Sequence, residues 1–311
     1  MSGSDIFVKI GERTSSRVLC VLVNFHDEQS TSQCIRSIRE MSEEADHQVV
    51  VVDNEADKLN EQYLTYGADH VISCGRNLGF GGGVNLAIKE LQGCEYEFIW
   101  LLNNDALATH TSLSALLISR KETQADIVGS TIFYLDDPEL LWCKYSHCHK
   151  PWHIVQNIGK KKRLEPGYVD SEVNFVNGCS MLISRAMFEK LDGFDESLFL
   201  YAEDLDLCIK CIGQGGKLVS SAGSRVFHAV SASTGGEFNL QREYYIARNG
   251  CAMVNRYSTN ILTRLFALIT RILWDAYRFF RTALRSGDWS SSARYLVRAI
   301  RDGWLNKLGR L

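Results

Sequence analysis

Proline is scarce in this sequence, three among 311 residues, and neither a low-complexity tract nor an internal repeat is present. Long disordered linkers are therefore not expected. Apolar runs are short as well. The best candidate for a membrane span is broken by Arg264 and Arg271, which argues against a spanning helix. The first residues, MSGSDIFVKIGERTSSR, hold no apolar segment of the kind a secretory signal needs. The ten cysteines form no small-domain framework, so they read as reduced thiols, many of them buried. These absences together predict a cytoplasmic protein, either free or peripheral on the cytoplasmic face of the inner membrane.

What is present is an ordinary globular balance, 45% hydrophobic and 23% charged, in a chain long enough for a full α/β core and a smaller appendage. The net charge of −3 hides an asymmetry. From residue 260 onward ten basic residues face three acidic ones (Asp275, Asp288 and Asp302), so the tail is strongly positive and the remainder strongly negative. Such a split suggests that the tail meets something anionic.

Residues 18–24 (VLCVLVN) are almost wholly apolar and end in a polar side chain, as a buried parallel strand does. Helical spacing follows over 30–41, a second strand over 48–53 ending in Asp53, a helix over 55–66 and a short strand over 70–73. A glycine loop covers 78–83, a helix 83–91, and a fourth strand 98–102 is broken by Asn103, Asn104 and Asp105. Beyond it, strands are expected over 127–134, 175–183 and 217–220, a helix over 204–213, few regular signals over 136–168, and helices after 240. Strands alternating with helices predict an α/β fold with right-handed crossovers and a mostly parallel sheet. Ligands collect at the carboxyl ends of such strands, and Asn24, Asp53 and Asp105 each stand at one.

Asn103-Asn104-Asp105 could place a carboxylate and amides beside a divalent cation that neutralises a diphosphate leaving group, or could simply cap a helix. Glu203, Asp204 and Asp206 follow an aromatic stretch, where a carboxylate in a partly apolar cleft suits a general base. The same acids would also favour a helix N-terminus, and Asp206 is expected to do only that. His228 could complete a metal site as a neutral imidazole. The glycine loop, Gly79 to Asn85, does not meet G-x-G-x-x-G, because the last position falls on Val84 or Leu86, so an NAD-type site is not expected. It offers instead a helix start that a nucleotide can approach closely. Cys143, His147, Cys148, His149 and His153 could bind zinc in principle but lack paired spacing, while Cys208 and Cys211 read as one helix face.

VLVNF (21–25), VVVDN (50–54), RNLGFGGGVN (76–85), WLLNNDA (100–106), VNGCSMLISR (176–185), GFDESLFLYAEDLDLCIK (193–210), VFHAVSAST (226–234) and YYIARN (244–249) occur in this order. Together they resemble the family-two glycosyltransferases of the GT-A fold, closest to a branch of rhamnosyltransferases and related cell-surface polysaccharide enzymes. The resemblance covers roughly residues 18–250, so 1–250 is expected to be the catalytic part and 251–311 a basic helical extension. It implies an inverting transfer from a nucleoside-diphosphate sugar, dTDP-rhamnose being the branch's leading association, to a saccharide or lipid-linked hydroxyl with Mg²⁺ or Mn²⁺. Asp53 and Asn24 would contact the base, and Asn77, Gly79, Gly83 and Asn85 would lie near the ribose and phosphates. Asn104 would complete the donor site, Asp105 and His228 would hold the metal, and Asp204 would be the base with Glu203 in reserve. Asn103 departs from the family's Asp-any-Asp motif. A non-catalytic nucleotide-sugar-binding or scaffolding protein is the alternative. A glycoside hydrolase would need no metal beside a nucleotide-binding strand end.

In the tail Arg264, Arg271, Arg278 and Arg285 recur every seven residues, near one helical face, with apolar residues between them. Peripheral contact of residues 260–311 with an anionic membrane is expected, the other reading being packing on the catalytic part or on a second subunit of a homo-oligomer. No nucleic-acid-binding motif accompanies the basic tail.

Overall fold

The computed structural model describes residues 6–41, 46–54, 57–229 and 239–311. Its frame is a mixed sheet in the order Ile6–Ile10, His70–Cys74, His47–Asn54, Val18–Asn24, Phe98–Leu102, Ser180–Ser184, Ile127–Tyr134, Leu218–His228 and Ser171–Glu172. The four strands from His70–Cys74 to Phe98–Leu102 run parallel, and Ser180–Ser184 is antiparallel to both of its neighbours. Helices cover both faces, which is why the parallel strands are continuously apolar. Leu19, Val21 and Val23 join Val84, Ala87, Leu205 and Cys208 on one side, whereas Val18, Cys20 and Leu22 join Ile35, Ile38, Leu113 and Leu116 on the other. All ten cysteines are buried thiols.

Several expectations are revised. Of the helix expected over 55–66, residues 55 and 56 lie outside the described residues and only the turn Gln62–Thr65 is helical. Asn60 Oδ1 accepts the Gln62 N–H at 3.2 Å, which starts that turn, and Gly67 at φ +110° lies just beyond its end. The glycine loop is already helix, Gly79–Glu90, because Asn77 Oδ1 accepts the Gly79 N–H at 2.8 Å and the Phe80 N–H donates to the Phe199 carbonyl at 3.2 Å. Residues 136–168 contain a hairpin, Tyr145–His149 with Ile154–Ile158, beside the short strand Leu141–Cys143. The strand expected over 175–183 is Ser180–Ser184 alone, since Asn177 Oδ1 takes the Cys179 N–H and turns the chain before it. The strand expected over 217–220 extends to His228, and the polar stretch 230–236 lies outside the described residues.

The tail is three helices. Leu240–Tyr257 runs through residue 250, placing Met253 in the sheet's core and Tyr244 and Tyr245 against Phe279 and Ala299. Ile261–Ser286 starts where Asn260 Oδ1 accepts the Thr263 N–H and stops at Gly287 in the left-handed region. Trp289–Trp304 starts at the Asp288 cap. The arginines at seven-residue spacing do not form the outward face that periodicity suggested. Arg271 is 3% exposed, donating from Nε to Asp275 at 2.8 Å, from Nη1 to the His153 carbonyl at 3.0 Å and from Nη2 to the Ile246 carbonyl at 2.6 Å. Gly250 admits it, since a Cβ there would lie 2.0 Å from the guanidinium carbon. Arg278 pairs with Glu243 at 2.7 Å. Buried acids and carbonyls draw these arginines inward, and the helix turns its apolar side out. Among the described residues no helix is long and apolar enough to cross a membrane.

Removing one partner of a buried, hydrogen-bonded pair leaves an uncompensated charge, at a cost of about 3–5 kcal/mol. Arg271→Ala should therefore lower the denaturant midpoint sharply, while Arg294→Ala, on the exposed side, should change stability by less than about 0.5 kcal/mol. Equal effects in urea unfolding would refute the inward assignment.

Candidate functional site

Three groups of side chains meet at the carboxyl ends of the central strands. The first follows from strand register, which sets Asn24 opposite Asp53 on adjacent parallel strands. Asn24 Nδ2 donates to Asp53 Oδ1 at 2.7 Å and to the Tyr63 hydroxyl at 3.0 Å. Asn24 Oδ1 in turn accepts from Thr31 Oγ1 at 2.9 Å and Asn104 Nδ2 at 3.3 Å. Burial pushes the Asp53 carboxyl above its ordinary range, opposed by the hydrogen bond from Asn24. A fixed carboxylate at a strand end, with its other oxygen still available, is suited to reading the N–H groups of a base or a ribose hydroxyl.

The second group is Asp105 and His228. The short strand Ala106–Ala108 pairs antiparallel with Leu218–His228, bringing His228 opposite Ala106. His228 Nε2 then lies 3.0 Å from Asp105 Oδ1, and both side chains are almost fully buried. Asn103 Nδ2 stands 3.5 Å from the same ring nitrogen. Burial alone would depress the imidazole; contact with Cys179 and with Asp105 outweighs it and lifts the pKa to about 10. No cluster of three or more His, Cys, Asp or Glu that could hold a metal exists among the described residues. One carboxylate oxygen and one imidazole nitrogen nevertheless converge here, and once Nε2 gives up its proton they are donors that fit a cation whose remaining ligands are phosphate oxygens and water. The Cys143–His153 segment is not a zinc site. His149 bonds Gln156 at 2.9 Å, Cys143 lies 3.1 Å from Ser146, and Cys148 reaches His153 only at 3.9 Å.

The third group is the pair at the start of helix Glu203–Gly213. Asp204 Oδ2 accepts the Gly178 N–H at 3.0 Å, and Oδ1 accepts the Leu205 N–H at 2.8 Å. Burial raises the Asp204 pKa, and those two backbone donors restrain the rise, to about 6. Glu203 is buried, its Oε2 has no hydrogen-bond partner among the described residues, and burial followed by the charge of Asp204 drives it well above its ordinary value. Asp204, which keeps part of its surface open, is the acid of the two that ionises first. Asp206 does more than favour a helix end: it accepts from Arg256 at 2.7 Å and Tyr257 at 2.6 Å.

Residues 177–179 join the second and third groups. The Gly178 N–H is on Asp204, while the next residue's carbonyl, that of Cys179, accepts the Asn103 N–H at 2.9 Å. A Cβ on Gly178 would lie 3.5 Å from both Asp204 and Phe80, so a larger side chain there would crowd the approach to the acid.

The glycine helix serves the site mainly through packing. Gly79 sits at φ +75° with the Phe199 carbonyl 1.9 Å from where its Cβ would be, and Gly83 leaves room for Val23. Asn85 clasps Phe194 through both its amide groups and donates to Glu196 at 3.0 Å, so it anchors the 193–196 loop. Sequence reasoning missed several contributors. Tyr63 and Thr31 complete the Asn24 network, and Asn54 Nδ2 holds the Gly79 carbonyl at 3.0 Å. Phe199, Tyr201 and Ala202 all take positive φ just before the acids. Asn249 Nδ2 grips the carbonyls of Leu198, Leu200 and Tyr201 at 2.9, 3.0 and 2.6 Å, and Arg248 Nη2 adds a bond to Leu198 at 2.9 Å. Their signal was the YYIARN segment, whose role could not be read without the loop it holds.

Comparison with known proteins bears on the family and the fold. A low-salt glycan biosynthesis hexosyltransferase, Agl10 of Haloferax volcanii, is 24% identical over 215 residues, 66% of this chain, and the match spans 65% of that relative's length. Rhamnosyltransferase WbbL of Escherichia coli is 22% identical over 231 residues, 68% of this chain and 82% of its own. Among solved structures, mannosyltransferase PcManGT from Pyrobaculum calidifontis, in complex with GDP-Man and Mn²⁺, superposes with a TM-score of 0.57 at 14% identity over 96% of this chain and 90% of that one. That likeness establishes the fold, GT-A. The matched family, Glycosyl transferase family 2, covers residues 20–192, more than half of the sequence. The chain belongs to Glycosyl transferase family 2.

Proposed function

We propose that this protein is an inverting, metal-dependent glycosyltransferase moving a sugar from a nucleoside-diphosphate donor to a saccharide or lipid-linked hydroxyl in cell-surface polysaccharide synthesis. The observation that carries the reading is the attachment of Asp204 and the Asp105 strand end to the same three residues, 177–179. One acid then faces the incoming alcohol and the other faces the diphosphate.

In this scheme Asp53 and Asn24 hold the base end of the donor, with Asn104 beside them and Asn77 near the ribose and phosphates. Asp105 and His228 would hold Mg²⁺ or Mn²⁺, which supplies charge neutralisation at the diphosphate. The acceptor O–H gives its proton to Asp204 as its oxygen bonds the anomeric carbon. The bond from that carbon to the diphosphate breaks, and the nucleoside diphosphate leaves with the electron pair. Single displacement inverts the anomeric configuration. Glu203, uncharged beside Asp204, keeps a second negative charge out of the pocket and leaves Asp204 as the proton acceptor. The relative named as a rhamnosyltransferase favours rhamnose as the sugar, and the branch resemblance implies dTDP as its carrier.

Thermal-shift screening against nucleoside-diphosphate sugars should give its largest stabilisation with one donor, dTDP-rhamnose, and only with Mn²⁺ or Mg²⁺ present. Turnover should stop with a chelator and return with the metal, and turnover indifferent to chelation would contradict the metal reading. Asp204→Asn should reduce kcat by about 10²–10⁴-fold while donor affinity stays nearly unchanged; retained kcat would move the base elsewhere. Because the base works unprotonated and Asp204 titrates near about 6, the rate should be full above that pH and fall tenfold per unit below it. A rate flat down to pH 4 would exclude Asp204.

A further inference from the structure

The tail's inverted arrangement leaves a broad apolar surface uncovered. On helix Ile261–Ser286 the side chains of Leu262, Phe266, Ile269, Leu273, Phe280 and Leu284 are each more than half exposed and recur with helical period along one side. The opposite side, including Ala267, Leu268, Arg271, Asp275 and Phe279, is buried against the rest of the chain. Trp289, at the start of the last helix, packs edge-on against Phe280 at 5.6 Å and carries the surface onward. Trp274 and Tyr277 stand half-exposed at its margin. Contiguous exposed apolar surface of this extent marks an interaction site.

Charge identifies what covers it. The tail's acids are turned inward: Asp275 and Asp302 are buried, leaving Asp288 as the one exposed acid among residues 261–311. Arg281, Arg285 and Arg294 are exposed on the same two helices, as is Arg298, which also reaches Asp302 at 3.5 Å. A second copy related by a two-fold axis would set this cationic surface against itself, with a single acid per chain to offset the repulsion. An anionic bilayer complements it instead. Large apolar side chains enter the acyl boundary, tryptophan and tyrosine sit at headgroup level, and arginines meet lipid phosphates. We infer that residues 261–311 form an interfacial membrane-docking surface whose inserted element is the outward apolar face of helix Ile261–Ser286, with the neighbouring arginines binding anionic headgroups. The arginines at 271 and 278, turned into the protein, take no part. This inference is independent of the transfer chemistry.

Flotation of the full chain with vesicles tests it. The bound fraction should be at least about tenfold higher with equal parts phosphatidylglycerol and phosphatidylcholine than with phosphatidylcholine alone, and should fall as salt is raised. I269E/L273E, changing two exposed side chains, should abolish binding while leaving the melting temperature and helical circular dichroism unchanged. Should that variant fail to fold, R281E/R285E should remove the preference for anionic lipid. Wild-type protein that stays off anionic vesicles, or variants that bind as well as wild type, would overturn the inference. So would a stable dimer in light scattering that I269E/L273E dissociates, since the surface would then belong to a second copy.

Discussion

The hydrogen bond from the Gly178 N–H to Asp204 is the constraint on which the site depends. Residues 177–179 precede the antiparallel strand Ser180–Ser184, which lies directly beside Phe98–Leu102, the strand that delivers Asn103 to Asp105. A single turn between two hydrogen bonds therefore ties together acids that stand far apart in the chain. The same bond limits how far burial can raise Asp204, so positioning and tuning have one source. A carboxylate that is partly desolvated but still ionised near neutral pH is what proton removal from an alcohol needs.

The loop that leads into Asp204 is held against its own preferences. Phe199, Tyr201 and Ala202 lie in the left-handed region, which costs each non-glycine residue on the order of 1 kcal/mol. Asn249 and Arg248 hold this loop by its carbonyls, and Arg248, lying 4.9 Å from the Tyr245 ring centroid, also reaches the Gly309 carbonyl. The tail thus helps fix the loop before Asp204 as well as presenting an outer surface. Deleting the tail wholesale would therefore disturb both, whereas changes confined to its exposed apolar face separate them.

Much of this was legible in the sequence, for identifiable reasons. Strands buried on both faces must be continuously apolar, so VLCVLVN and QVVVVD announced themselves and their terminal polar residues marked the donor end. Asp105 and Asp204 were legible as acids in costly settings. The pairing of His228 with Asp105 followed only from the family resemblance, because it arises from the register of a three-residue strand that carries no signal of its own. The glycines had a second purpose that the sequence did not show: they allow close approach of a helix to Phe199, Phe194 and Val23, a property of partners distant in sequence. Periodicity put the tail arginines on one helical face, whereas the structure divides them, Arg271 and Arg278 turning inward and Arg285 staying exposed. That was decided by Asp275, Glu243 and two backbone carbonyls.

The central claim is that Asp105 and Asp204 border one cavity, with the diphosphate on one side and the acceptor on the other. A crystal structure of the protein with Mn²⁺ and a nucleoside diphosphate, with manganese located by its anomalous scattering, tests it most directly. The account predicts one strong peak in contact with Asp105 and the phosphates, with the Asp204 carboxylate facing the same cavity, still bonded to Gly178. A manganese peak away from Asp105, or a diphosphate bound where Asp204 opens to a different surface, would contradict it.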